Sequence, residues 1–175
     1  MNIKTDLVLR AEDAEIIKNF VRDNFSNDMY FINNGHSRRY SSLTNTETPI
    51  TKLAKEIRKD SFSRLGIEIF EEEPIYGIFL GVNTSGGSIQ EHTDPTIEGH
   101  DHFRLNYMVS KPDFGGMPVI DGVPYSINNL ESWINIASEW KHRSTPTIGN
   151  SPRIVLSLGA YVKKETVQSV FNSLN

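Results

Sequence analysis

The change in hydrophobic periodicity near Leu65 is the feature that most limits what this chain can fold into. Before it, apolar residues recur at the three- and four-residue spacing of amphipathic helices, which predicts helices over 11–25 and from about 49 to 65. After it come short runs rich in β-branched and aromatic residues, separated by glycine and proline turns. Helices followed by many short strands favour an antiparallel sandwich or barrel with an N-terminal helical layer.

Six runs after this change carry the strand pattern, and a polar stretch lies between the two predicted helices. The predicted strands are 67–70, 75–82, 103–109, 118–120, 132–136 and 153–162. The stretch 33–48 contains glycine and serine, and we interpret it as a loop and a candidate lid over a site. The last residues, 165–174, are predicted to form a short closing helix.

Composition narrows the function classes. Eighteen lysines and arginines against 22 aspartates and glutamates leave a formal net charge of −4, so we expect no nucleic-acid partner. The chain has no cysteine, so any metal site must use histidines and carboxylates. No window approaches the about 18 apolar residues of a membrane span, and the N-terminus lacks an apolar signal stretch. We therefore expect a cytoplasmic protein without membrane contacts.

A His-x-Asp pair begins the candidate site. Neighbours two apart in an extended segment point the same way, so His92 and Asp94 would direct an imidazole and a carboxylate to one point. A second imidazole is available 50 residues later, at His142. Two histidines and one carboxylate on one side of a metal, with open positions opposite, suit a non-haem Fe(II) oxygenase.

Two further cationic positions accompany these three residues. Arg153 opens an apolar run 11 residues after His142, and a buried arginine there would need an anionic partner, for which a carboxylate suits its planar fork. In the run 103–109, alternation puts Arg104 and Asn106 on one face, which we interpret as the barrel interior.

The ordered set of His92, Asp94, His142 and Arg153 resembles the family of Fe(II)- and 2-oxoglutarate-dependent oxygenases, over roughly 75–162. The stretches HTDPT, FRLNYMV, WKHRS and PRIVLSLGAYV look most like the aspartyl/asparaginyl β-hydroxylase branch. That branch has Arg-x-His where this chain has Arg104-x-Asn106. The run Phe-Gly-Gly at 114–116 resembles the prolyl hydroxylase branch instead.

This resemblance implies a double-stranded β-helix, or jelly roll, in a single domain over 1–175, with helical support and a possible lid over 1–66 and the jelly-roll core over 67–163. It implies that Fe(II) is held by His92, Asp94 and His142, that 2-oxoglutarate is held by Arg153, Arg104 and Asn106, and that O2 takes a remaining position. The implied reaction is hydroxylation of an amino acid, a peptide side chain or another small metabolite, with release of succinate and CO2.

Two other functions remain open at this stage. One is a jelly-roll binding module without catalysis, and the other is a Zn(II) hydrolase that uses the same ligands. Arg153 discriminates between the hydrolase and the oxygenase, since a hydrolase needs no buried guanidinium beside its metal, whereas a keto-diacid co-substrate does. His36, His100 and His102 are interpreted as loop residues, and the sequence specifies neither their roles nor an oligomeric state.

Overall fold

Strands make up most of the regular structure. The computed structural model describes residues 2–35 and 37–174, and its helices within them are α1 Ala11–Asn24, α2 Thr51–Arg64 and α3 Lys164–Leu174. The strands in the same residues are β1 Lys4–Val8, β2 Ile32–Asn33, β3 Arg38–Ser42, β4 Ile78–Asn83, β5 His100–Ser110, β6 Phe114–Gly115, β7 Pro118–Ile120, β8 Val123–Pro124, β9 Glu131–Ile136, β10 His142–Ser144, β11 Thr147–Ile148 and β12 Arg153–Lys163.

Seven strands form one antiparallel sheet, in the order β1-β9-β5-β12-β4-β3-β2. At its centre β5 and β12, of 11 residues each, pair along almost their whole length. A second sheet has the order β10-β7-β8, and β11 pairs with β6. This mainly antiparallel arrangement confirms the predicted jelly roll with N-terminal helices.

The two faces of the main sheet pack against different layers. On one face, Phe103 and Leu105 of β5 join apolar residues of α1 and α2 in the larger core cluster. On the other face, Met108 of β5 and Val155 of β12 share a smaller cluster with Ile120 of β7, in the second sheet. Because successive side chains of a strand point to opposite faces, the even-numbered residues of β5 line the space between the two sheets.

Most predicted elements are present. The three predicted helices and five of the six predicted strands form, with ends shifted by at most three residues. The largest extension is at the start of β5, which begins at His100 because β12 continues to Lys163 and provides it with a hydrogen-bonding partner.

The predicted strand over 67–70 is wrong. Its apolar side chains pack individually instead: Ile67 is buried, the Phe70 ring makes an edge contact with Phe62 of α2, and Ile69 is exposed. In the main sheet β12 already pairs with β4 on one side and β5 on the other, so within the described residues 67–70 joins no strand, and the next residue, Glu71, forms an isolated bridge with Tyr161.

The interpretation of 33–48 as a loop and lid is also wrong for Arg38–Ser42, which forms β3 and pairs with β4. This strand has no apolar alternation because its inward side chains face a polar cavity rather than the core. β1, which pairs with β9, carries no strand prediction either. Both strands belong to the main sheet, which therefore includes strands from 1–66 as well as from 67–163.

None of the helices in the described residues is long and apolar enough to span a membrane.

The core predicts where truncation destabilises the fold. Ile134 of β9 is 0% exposed, whereas Ile69 is 79% exposed. Ile134→Ala leaves a cavity between sheet and helices and should lower the free energy of unfolding by about 2–5 kcal/mol. Ile69→Ala, the matched control, should change it by less than about 0.5 kcal/mol. Urea unfolding followed by circular dichroism measures both, and equal midpoints would contradict this core.

Candidate metal centre

Backbone hydrogen bonds hold the His-x-Asp segment beside β10. His92 N–H donates to His142 O at 3.1 Å, and His142 N–H donates to His92 O at 2.9 Å. Asp94 N–H donates to Ala137 O at 2.7 Å. The main chain therefore fixes where the three side chains start, and a short antiparallel bridge places the two histidines opposite each other.

The three side chains converge on one point. Asp94 Oδ1 is 3.4 Å from His92 Nε2 and 3.9 Å from His142 Nε2. The three ligand atoms all lie within 4.8 Å of one another. Ligands about 2.1 Å from a common octahedral metal lie about 3 Å apart at right angles, so a small closure of these side chains would accommodate a divalent cation.

Both imidazole rings have the orientation that metal binding needs. His92 Nδ1 lies 2.8 Å from Gln90 O, and His142 Nδ1 lies 3.0 Å from Trp140 O. A backbone carbonyl accepts, so each Nδ1 carries a proton, and in the neutral ring Nε2 then keeps its lone pair for a metal. The carbonyl two residues before each histidine thus selects the ligating tautomer.

The second oxygen of Asp94 is held by Arg104. Arg104 Nε donates to Asp94 Oδ2 at 3.0 Å, and its Nη1 donates to the Tyr76 carbonyl at 3.0 Å and to Ser157 at 3.3 Å. A Cβ on Gly159 would lie 2.8 Å from Arg104 Nη1, so glycine leaves the guanidinium its space. The resemblance implied that Arg104 binds 2-oxoglutarate, and in the structure its Nε is paired with Asp94.

Electrostatics favour a cation between the three ligands. Burial opposes ionisation of Asp94, yet its hydrogen bond with His92 and the charges of Arg104 and His142 hold its pKa well below the usual value. The hydrogen bond with Asp94 raises the pKa of His92, whereas burial lowers the pKa of His142. One ionised carboxylate and imidazole nitrogens are hard-to-borderline ligands, which suit a divalent transition metal.

These ligands lie at one end of a cavity of about 300 Å³ between the sheets, which Arg153 and Asn106 also line. Arg153 precedes Ser157 by four residues on β12, a distance of roughly 13 Å along the strand. The Arg153 side chain is buried, and its Nε donates to Gly116 O at 2.7 Å. Within the described residues no carboxylate lies within 4.0 Å of it, and burial lowers its pKa to about 10.

Two neighbours of Arg153 carry no prediction from the sequence. Asn83 of β4 is the register partner both of Arg153 and of Arg38 on β3, so the three form one row across the sheet. In the described structure neither amide atom of Asn83 has a hydrogen-bond partner. Alternation in Arg38-Arg39-Tyr40-Ser41-Ser42 was the only sequence signal available, and it is weak because every residue is polar or amphipathic.

The interpretation of His100 and His102 as loop residues is wrong, since both lie in β5. His102 is buried on the even-numbered face, with Nδ1 3.6 Å from Asp94 Oδ2. Burial lowers its pKa to about 4, so its imidazole is neutral near pH 7. His36 lies outside the described residues.

No protein-family model matches the chain, and no curated protein matches it. Solved structures do. A viral collagen prolyl hydroxylase from Paramecium Bursaria Chlorella virus-1, in a 2-oxoglutarate complex, is 12% identical with a TM-score of 0.66, over 92% of this chain and 95% of that one. A prolyl hydroxylase from Trichoplax adhaerens, with a peptide of hypoxia inducible factor, is 11% identical with a TM-score of 0.67, over 93% and 84%.

HygX from Streptomyces hygroscopicus, with nickel and 2-oxoglutarate bound, is 9% identical with a TM-score of 0.65, over 92% of this chain and 82% of that one. This chain has the fold of these three proteins. The fold that the sequence resemblance implied is therefore confirmed over nearly the whole chain, and prolyl hydroxylases are one of the two branches that the sequence resembles.

Arg104 should affect the affinity for metal through Asp94. Arg104→Gln removes the donor that holds Asp94 Oδ2, and loss of such an outer hydrogen bond typically weakens metal binding by about 10- to 100-fold. Calorimetric titration with Co(II) measures this. Arg22→Gln, an exposed arginine of α1, removes the same charge and should bind Co(II) as the native protein does. Equal affinities in both variants would show that Arg104 does not position Asp94.

Proposed function

We propose that this protein is an Fe(II)- and 2-oxoglutarate-dependent dioxygenase that hydroxylates an amino acid, a peptide side chain or another small metabolite. The observation that carries the proposal is Arg153, a buried guanidinium without a carboxylate partner in the described chain, in the same cavity as a His-Asp-His cluster. A buried cation without an anion is costly, so its retention argues for an anionic ligand. A keto acid with a distal carboxylate satisfies both ends of the cavity.

His92, Asp94 and His142 would hold Fe(II), and Arg153 would hold the distal carboxylate of 2-oxoglutarate. When bound, iron, 2-oxoglutarate and O2 supply the oxidising chemistry, with release of succinate and CO2. Asn106 lies in the cavity wall as the register partner of Ser157, where its amide can donate a hydrogen bond to the co-substrate. Arg104 positions Asp94.

Apolar side chains also line the cavity. Phe79, Trp133 and Val155 line it between the polar groups. The guanidinium of Arg104 lies 5.0 Å from the centre of the Phe79 ring, which shields that ion pair from solvent on one side. A dry cavity strengthens the pairing of Arg153 with a carboxylate and limits side reactions of the oxidant.

Binding of the co-substrate tests the proposal directly. Anaerobic addition of Fe(II) and 2-oxoglutarate should produce the weak visible charge-transfer band of the chelate, and its titration gives the affinity. Arg153→Ala should lower the affinity for 2-oxoglutarate by at least about 100-fold, because the distal carboxylate loses a desolvated partner. Affinity for the metal alone should change by less than about threefold. Absence of the band in the native protein would contradict the proposal.

The metal ligands have a separate test in turnover. His92→Ala and Asp94→Ala should each abolish conversion of 2-oxoglutarate to succinate. Circular dichroism of each variant checks that the fold is intact. His100→Ala is the matched control, since its contacts, Nδ1 with Glu98 O and Nε2 with Glu71 Oε1 at 3.6 Å, lie away from the metal ligands and the side chain does not line the cavity. Retained turnover in His92→Ala would reassign the metal site. A Zn(II) hydrolase or a non-catalytic binding module would form no succinate in any variant.

A further inference from the structure

A second cavity adjoins the one that holds the metal ligands. This outer cleft, of about 620 Å³, lies between described residues of 34–38 and the segment 86–92. Four residues line both spaces: Asn34, Arg38, Ile89 and His92. The outer cleft therefore reaches the metal centre at His92, from the side away from the core of the sheet.

Arg38 is the cation at this boundary. It lies on β3 and is partly buried, and its Nε is buried without a hydrogen-bond partner in the described structure. Over the same residues no carboxylate lies within 4.0 Å of it, and burial lowers its pKa. Glu91, on the other side of the cleft, is 3.9 Å from Arg143 instead. Arg39, the next residue, differs in having an anion: its Nε is likewise buried without a partner in the described structure, but its Nη2 is paired with Asp28 and donates to Phe31 O.

Arg38 and Arg153 also face each other across one strand. Both are register partners of Asn83, so their side chains lie on the same face, with Cα atoms about 10 Å apart. The positive charge of Arg38 adds to burial in lowering the pKa of Arg153. Repulsion between two partly or fully buried cations at this separation is unfavourable unless an anion pairs with each of them. The proposed co-substrate supplies one distal carboxylate, because its other carboxylate belongs at the metal, so one cation is left without a partner.

We propose that Arg38 binds an anionic group of the substrate, a carboxylate or a phosphate, and that the outer cleft is the substrate site. This inference rests on the function proposed above, in which 2-oxoglutarate occupies the inner cavity. The anion would anchor the substrate beside His92 and so place its reacting C–H bond near the metal. Uncharged analogues would leave the guanidinium unpaired, which makes Arg38 a determinant of specificity.

The free protein gives one measurable consequence. Arg38→Gln removes a partly buried charge that has no counter-ion, so this variant should unfold at a midpoint temperature equal to or above that of the native protein. Arg39→Gln removes the same charge from the next residue but breaks its ion pair with Asp28, and it should unfold at a lower temperature. This comparison also shows that Arg38→Gln is folded before any ligand is added.

Binding of small anions to the loaded protein tests the substrate site. The protein is first saturated with Zn(II) and 2-oxoglutarate, and uptake of 2-oxoglutarate is verified by calorimetry. Propionate, inorganic phosphate and uncharged propionamide are then titrated at constant ionic strength and followed by NMR. We expect propionate or phosphate to bind and propionamide not to bind. Arg38→Gln should weaken the binding by about 10- to 100-fold, Arg38→Lys should restore part of it, and Arg39→Gln should bind as the native protein does.

The outcomes separate this inference from the proposed function. Preference for propionate indicates a carboxylate substrate, and preference for phosphate indicates a phosphate ester. If 2-oxoglutarate binds but neither anion does, or if Arg38→Gln binds them as well as the native protein, the substrate site is wrong and the proposed function stands. If Arg38→Gln lowers the affinity for 2-oxoglutarate as much as Arg153→Ala does, Arg38 binds the co-substrate and the inference is overturned. If the native protein takes up no 2-oxoglutarate, both fall.

Discussion

The antiparallel ladder between β5 and β12 holds the polar side chains of the cavity in fixed positions. Its register opposes Gly159 to Arg104 and Ser157 to Asn106, and the same strand begins at Arg153. A shift of one residue would turn Arg104 and Asn106 into the apolar layer beneath the helices. The cost of burying those groups there makes the register strongly specified, so the core and the site are determined by the same set of hydrogen bonds.

Charge within the cavity is arranged unevenly. Arg104 has an anionic partner in Asp94, whereas Arg153 and Arg38 have none among the described residues. Their burial lowers the pKa of both guanidinium groups, because the charged form is disfavoured away from water. Ligands that bring two anionic groups would favour the charged form. Binding energy and stability are thus linked at these two positions, in the way expected of sites organised for a charged ligand before it arrives.

Apolar periodicity predicted the elements whose side chains pack in the core, such as α1, β5 and β12, with small errors at their ends. It failed for segments whose buried side chains are polar, and for a segment whose apolar side chains pack separately. Arg38–Ser42 was predicted as a loop because its inward side chains face the cavity and leave no apolar alternation. His102 was predicted as a solvated loop residue because its neighbours in sequence are polar, whereas pairing with β12 as far as Lys163 extends β5 over it. The strand predicted over 67–70 is wrong for the opposite reason, because its apolar residues pack one by one against other elements and do not pair in a β-ladder. Periodicity reports which side of an element is apolar, and these segments have no such side.

The sequence alone determined which atoms a metal site here could use. Without any cysteine, the ordered set of two histidines and one aspartate limits candidate metal ligands to nitrogen and oxygen, and that chemistry depends on residue identity. Only the tertiary structure decided how the charges are paired, since Asp94 meets Arg104 while Arg153 and Arg38 remain without carboxylates in the described chain. Those pairings join residues far apart in the chain through strand register, and register follows from the packing of the whole sheet.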